Sequence, residues 1–205
     1  GLDDEPVILY VGRLSRKKGP HVLLDAMPEV LKRQPRAKLV MVGSRWFGTN
    51  ETDDYVRSLQ LKAEALGHHV ILTGYVPYDQ VHRYFAIADV FVCSSQWAEP
   101  LARVHYEAMA AALPIVTTER GGNTELVRMG VHGITLSQWH DPRAFSQAIL
   151  DLLENPEASR AMGRAGRRLV ERRYTFQRIA SDLNAVLEEA GASPPPDPMP
   201  FPTLE

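Results

Sequence analysis

A single cysteine, Cys93, in 205 residues excludes a disulfide framework and fits a reducing, cytoplasmic compartment. No apolar run approaches the ~18 residues of a membrane span, and no secretory leader is visible. Charge of neither sign dominates. The 23 basic and 25 acidic residues leave a net charge of −2, so nothing electrostatic points to nucleic acid. The seven histidines show no ligand spacing backed by carboxylate or thiolate, so no metal site is assigned. A Walker lysine loop is absent, and Gly12-Arg13-Leu14 does not open a Gly-x-Gly-x-x-Gly motif, which leaves a nicotinamide dinucleotide poorly supported. There is no internal repeat. An initiating Met is also missing: the chain starts at Gly1 and runs directly into a β-rich segment, which predicts a fragment or excised domain. Leu204-Glu205 reads as a cloning scar.

What is present is alternation. With 44% apolar residues the chain can bury a full core. Apolar runs at 6–11, 38–42, 70–73, 88–93, 114–118 and 133–136 read as strands. Between and after them, helical patterning covers 20–34, 51–66, 78–88, 101–112, 142–154, 156–173 and 175–190, with a short helix beginning near Asn123. The crossovers are long enough for parallel pairing, so the expected fold class is α/β, a doubly wound, Rossmann-like parallel sheet over residues 1–192. Residues 193–205 are proline-rich and read as an extended surface tail. Ligands of such sheets bind beyond the carboxyl ends of the strands. Loops 12–19, 43–50, 74–77, 94–101 and 119–123 all follow strands and should gather on one rim.

Within that rim, residues 99–107 carry the most information. Pro100 is tolerated at a helix start, and good helix formers follow from Leu101 to Leu113-Pro114. Strand, loop and helix N-terminus then aim free backbone N–H groups above the sheet edge, an arrangement suited to an anion. Read this way, Glu99 precedes the helix and Glu107 lies two turns into it, on the order of 12 Å away at ~1.5 Å per residue. The two carboxylates suit the ends of a long ligand with a phosphate between them. Gly12, Arg13, Lys18 and Gly19 put two cations into one strand-to-helix loop, where the glycines let a phosphate approach the backbone.

In order along the chain, these pieces resemble the C-terminal, donor-binding domain of the retaining GT-B glycosyltransferases of family 4. The resemblance rests on Gly12-Arg13-Leu14 with Lys18-Gly19, Val42-Gly43, Gly74-Tyr75-Val76, the strand through Asp89 and Cys93 to Ser94-Ser95, and Glu99-x7-Glu107. Beyond these come Ile115-Val116-Thr117-Thr118, Gly121-Gly122 and Glu125-Leu126-Val127. The resemblance implies catalytic roles for Arg13 and Lys18, which neutralise the donor diphosphate without a metal, and for Glu99, which meets the transferred sugar. It implies donor contacts from Gly12, Ala102 and Glu107, the last at the ribose. Backbone N–H groups of Arg103 and Val104 take the distal phosphate, and Tyr75 and Val76 flank the base. No cofactor is implied beyond the nucleotide-sugar co-substrate.

The implied partners are an N-terminal GT-B domain absent from this chain, which holds most of the acceptor site, and a carbohydrate or glycoconjugate acceptor. Two departures stand out. Family members usually have Glu-Pro-Phe-Gly where this chain has Glu99-Pro100-Leu101-Ala102, and Ser44-Arg45-Trp46-Phe47 replaces a Gly-Pro loop. The latter resembles spore-coat-associated members. Two alternatives follow: a non-catalytic structural or carbohydrate-binding relative in a coat layer, and a nucleotide-sugar epimerase on the same scaffold. Trp46, Phe47 and Trp97 in rim loops, and the stripe of Phe176, Ile179, Leu183, Val186 and Leu187, are expected to mark apolar surface beside a missing partner.

Overall fold

A computed structural model of the chain describes residues 5–46, 48–50 and 52–191. Phe47 and the proline-rich tail, about which the sequence raised expectations, lie outside the described residues. The strands are β1 (Val7–Val11), β2 (Lys38–Val42), β3 (Val70–Gly74), β4 (Val90–Cys93), β5 (Ile115–Thr118) and β6 (Gly133–Leu136). They form one parallel sheet in the order β3-β2-β1-β4-β5-β6, with β1 and β4 at its centre. This is the doubly wound topology that the alternation predicts.

The α-helices are α1 (Pro20–Arg33), α2 (Asp54–Ala65), α3 (Tyr78–Ala86), α4 (Val104–Ala110), α5 (Asn123–Leu126), α6 (Pro142–Glu154), α7 (Pro156–Arg173) and α8 (Phe176–Glu189). Both faces of the sheet are covered, so its inner strands are apolar on successive residues rather than on alternate ones. Ile8, Tyr10, Leu39, Met41, Val90 and Val92 join a core with α1, α2 and α6. Val7, Leu9, Val40, Phe91, Cys93 and Ile115 face the opposite core with α3, α4 and α7.

Several boundaries move inward from the sequence reading. Asp53, whose carboxylate accepts from Val56 N–H at 2.8 Å, caps α2 and starts it at Asp54 rather than at 51, itself outside the described residues. The strand read from 88 begins at Val90. Asp89 is spent on the β1 entry, where its Oδ2 accepts from Val7 N–H at 2.8 Å.

The larger correction concerns α4, which spans only Val104–Ala110 instead of 101–112. Its start is delayed because the loop before it is pinned elsewhere: the Glu99 carbonyl accepts from Gly122 N–H at 2.8 Å. Its end comes early because Ala112 turns into left-handed backbone, at φ 59°. The 3₁₀ turn at Arg16–Lys18 was not anticipated. In α8 the apolar stripe forms, but no residue of that helix is buried, and Phe176 is 85% exposed.

Candidate functional site

The rim is built by loops that touch backbone to backbone. Gly12 N–H donates to the Val42 carbonyl at 3.0 Å as β1 ends. At Gly43 the chain takes φ 136°, and a Cβ there would lie 2.1 Å from the Gly12 carbonyl oxygen. Only glycine permits that approach. The 12–19 loop is then clamped onto the loop after β4. Ser94 Oγ donates to the Lys18 and Gly19 carbonyls at 3.1 and 3.0 Å. This clamp brings two residues 81 positions apart into contact: Lys18 Nζ reaches Glu99 Oε2 at 2.6 Å.

Glu99 is buried and held by more than Lys18. Its Oε2 also accepts from Ser95 Oγ at 3.0 Å and from Trp97 Nε1 at 2.9 Å. Burial is the largest influence on its acidity and pushes the carboxyl up. The Lys18 hydrogen bond and charge, with those from Ser95 and Trp97, outweigh it and leave the group below its usual range. Trp97, expected as an uncovered rim aromatic, is therefore half-buried and engaged.

Since α4 starts at Val104, Glu107 stands in its first turn, not two turns in. Burial raises the Glu107 carboxyl, against smaller opposing effects of Arg103 and Tyr78. The Tyr78 hydroxyl links these two residues, 3.3 Å from Arg103 Nη2 and a long 3.5 Å from Glu107 Oε1. The backbone bonds at the start of α4 begin with His105 N–H to the Ala102 carbonyl at 3.1 Å, so the N–H groups of Arg103 and Val104 precede the helical ladder.

These loops enclose a cleft of about 920 Å³ at the carboxyl ends of β1 to β4. The residues given catalytic or donor-binding roles from the sequence all line it. Gly12, Arg13 and Lys18 come from the β1 loop, Tyr75 and Val76 from the β3 loop, and Glu99, Ala102, Arg103, Val104 and Glu107 from the β4 loop and α4. Tyr75 is fixed through its N–H, which donates to Asn50 Oδ1 at 2.7 Å. Trp46 also lines the cleft. It is 50% exposed, and the Arg45 guanidinium carbon lies 4.6 Å from its ring centroid.

Sequence reasoning did not assign Tyr10, Ser95 or Tyr78 to the site. Ser95, four residues before Glu99 and two after the end of β4, had a position that could have revealed it. Tyr78, next to Pro77 at a helix start, carried no such signal. Among the described residues no cluster of His, Cys, Asp or Glu is arranged to hold a metal ion, and no helix is long and apolar enough to cross a membrane.

The family described as glycosyl transferases group 1 matches residues 1–169. The chain belongs to the group 1 glycosyltransferases. This glycosyltransferase chain is 43% identical over 189 residues to spore coat protein SA of Bacillus subtilis, covering 92% of this chain and 50% of that protein.

It is 36% identical over 175 residues to the GDP-mannose-dependent alpha-(1-6)-phosphatidylinositol monomannoside mannosyltransferase of Mycolicibacterium smegmatis. That match covers 82% of this chain and 44% of the relative. In structure it resembles Anabaena HepE, crystallised in complex with UDP-glucose. The TM-score is 0.81 at 26% identity, covering 92% of this chain and 50% of HepE. The fold is that of GT-B glycosyltransferases. The chain spans about half the length of the curated relatives it matches.

Proposed function

We propose that this chain is the donor-binding half of a retaining, family 4 glycosyltransferase. It transfers a hexosyl group from a nucleotide-diphospho-sugar to a carbohydrate or glycoconjugate acceptor in the cytoplasm. The observation that carries the reading is the convergence of Arg13, Lys18, Glu99 and Glu107 on one cleft of about 920 Å³. Two relatives support the donor class, since one is named for its use of GDP-mannose and the other was crystallised with UDP-glucose.

In this reading the base lies by Tyr75 and Val76, with the ribose hydroxyls on Glu107. The distal phosphate meets the N–H groups of Arg103 and Val104, and Gly12 and Ala102 form the walls it approaches. When the bond from sugar to phosphate breaks, the electron pair stays on the diphosphate. Arg13 and Lys18 neutralise that charge, and no metal is required. Lys18 has three donor hydrogens and keeps Glu99 while taking phosphate. The three donors to Glu99 converge on Oε2, which leaves Oε1 for a sugar hydroxyl. The acceptor half is an N-terminal domain that covers the exposed apolar face of α8.

Calorimetric titration with a panel of nucleotide-sugars and free nucleotides tests the reading. Saturable binding of at least one nucleoside diphosphate, strengthened by its sugar, is expected. Silence from the whole panel overturns it.

A further inference from the structure

The sheet order divides the rim. The cleft lies over β3, β2, β1 and β4, and Glu99 stands at its edge. Beyond Glu99, over β4 to β6, lies a second constellation, of Lys17, Gln96, Trp97, Arg120 and Trp139, none of which lines the cleft. Lys17 and Lys18 are neighbours that diverge: Lys18 turns to Glu99, whereas the Lys17 ammonium lies 5.3 Å from the Trp97 ring centroid. Arg120, in the loop after β5, sets its guanidinium carbon 4.3 Å from the ring centroid of Trp139, in the loop after β6. Gln96 ties the loops together. Its Nε2 donates to the Trp139 carbonyl at 2.6 Å, and its backbone N–H donates to the Lys17 carbonyl at 2.7 Å. The Trp97 indole N–H, donated to Glu99, fixes this shelf to the donor cleft.

Its cations lack acidic partners. Among the described residues neither Lys17 nor Arg120 forms an ion pair with a carboxylate. Arg120 Nε is fully enclosed and has no hydrogen-bond partner. The nearby acids are engaged elsewhere. Glu119 accepts from Thr135 Oγ1 at 3.0 Å, Asp141 accepts from Arg143 N–H at 2.9 Å to cap α6, and Glu99 holds Lys18. Stacking on indole holds a guanidinium or ammonium in place without neutralising it.

We propose that this shelf is a second ligand site, for a sugar or polyol that carries a phosphate or carboxylate. Lys17 and Arg120 take the anionic group, and the indoles of Trp97 and Trp139 flank the apolar face of the ring. Its place beside Glu99 makes it this half's share of the acceptor site, the rest of which the N-terminal half supplies. That last step rests on the donor reading above, whereas the anion site itself does not.

The test follows the indole N–H resonances of Trp46, Trp97 and Trp139 by NMR, assigned by single substitutions. The ¹⁵N-labelled chain is titrated separately with glucose 1-phosphate, glucuronate, glucose and UDP. Saturable shifts of Trp97 and Trp139, with Trp46 still, are expected from glucose 1-phosphate or glucuronate, and whichever acts identifies the anion. Lys17→Gln and Arg120→Gln should each weaken that binding by roughly tenfold or more, the scale of one charged hydrogen bond, and leave the UDP affinity unchanged. Equal shifts from neutral glucose, shifts confined to Trp46, or no saturable shift with either anion overturn the proposal. If UDP alone fails to bind, it is the donor reading that falls.

Discussion

Lys18 and Glu99 each serve two purposes, since the same pair holds two loops together and, on the proposed function, faces the ligand. Lys18→Ala removes a charged hydrogen bond to phosphate, so nucleoside-diphosphate binding should weaken by about 1.5–3 kcal/mol while nucleoside binding hardly changes. Calorimetry with both ligands measures this, and equal losses would mean that Lys18 acts through folding alone. The two glutamates carry opposite pH signatures about the usual carboxyl value of 4.5. Glu99 is held below that value because its hydrogen bonds and the Lys18 charge overcome the upward push of burial. Its contribution to stability is complete above 4.5 and is lost as pH falls through the depressed folded value. Glu107 is raised by burial, so the folded state keeps its proton to higher pH and stability declines as pH rises from 4.5 through the raised value. Denaturation across this range should therefore show Glu99→Gln flattening the acid limb and Glu107→Gln flattening the limb above it. Profiles unchanged from the parent chain would contradict both assignments.

The elements that matter most for the site are its loops, and glycine separates those that position a ligand group from those that merely turn. Gly121 has φ 62°, and a Cβ there would lie 1.9 Å from the Glu99 carbonyl oxygen, whereas Gly130 at φ 70° has nothing within 4 Å. Both Gly121→Ala and Gly130→Ala pay the left-handed penalty of about 1–2 kcal/mol. Only the first must also displace Glu99. Donor binding should therefore collapse in Gly121→Ala and survive in Gly130→Ala, as calorimetry beside a denaturation series would show. At this scale the sequence was legible where periodicity governs and opaque where distant contacts do. The six strands and the rim loops follow from apolar runs and glycine breaks. The start of α4 does not, because Glu99 and Pro100 are pinned by the 121–122 turn, far off in sequence. Ser95 and Trp97 lie within four residues of Glu99, yet their convergence on one carboxylate oxygen depends on how the 94–101 loop closes over Gly19.

For the molecule as a whole, a sheet with helices on both faces and a rim of clustered loops was readable from alternation. The stripe of α8 was legible as one shared face, and it stands exposed as expected. Ile179, Leu183 and Val186 are 51%, 57% and 61% exposed. On the proposed function, adding the missing half, fused or as a separate chain, should create transferase activity that the chain alone lacks. Turnover by the isolated chain at rates typical of enzymes, ~1–10³ s⁻¹, would refute this division of labour. The sheet order has a further consequence, for the chain as it is synthesised. β1 is made first but lies between β2 and β4, and its register pairs Val7 with Lys38 and Ile8 with Val90. A nascent chain that has not reached Val90 thus carries an apolar strand with one naked edge, a template for other chains. Ended after Ala86, the polypeptide should self-associate in light scattering at concentrations where the whole chain stays monodisperse, because the strand that closes β1 is the next to emerge.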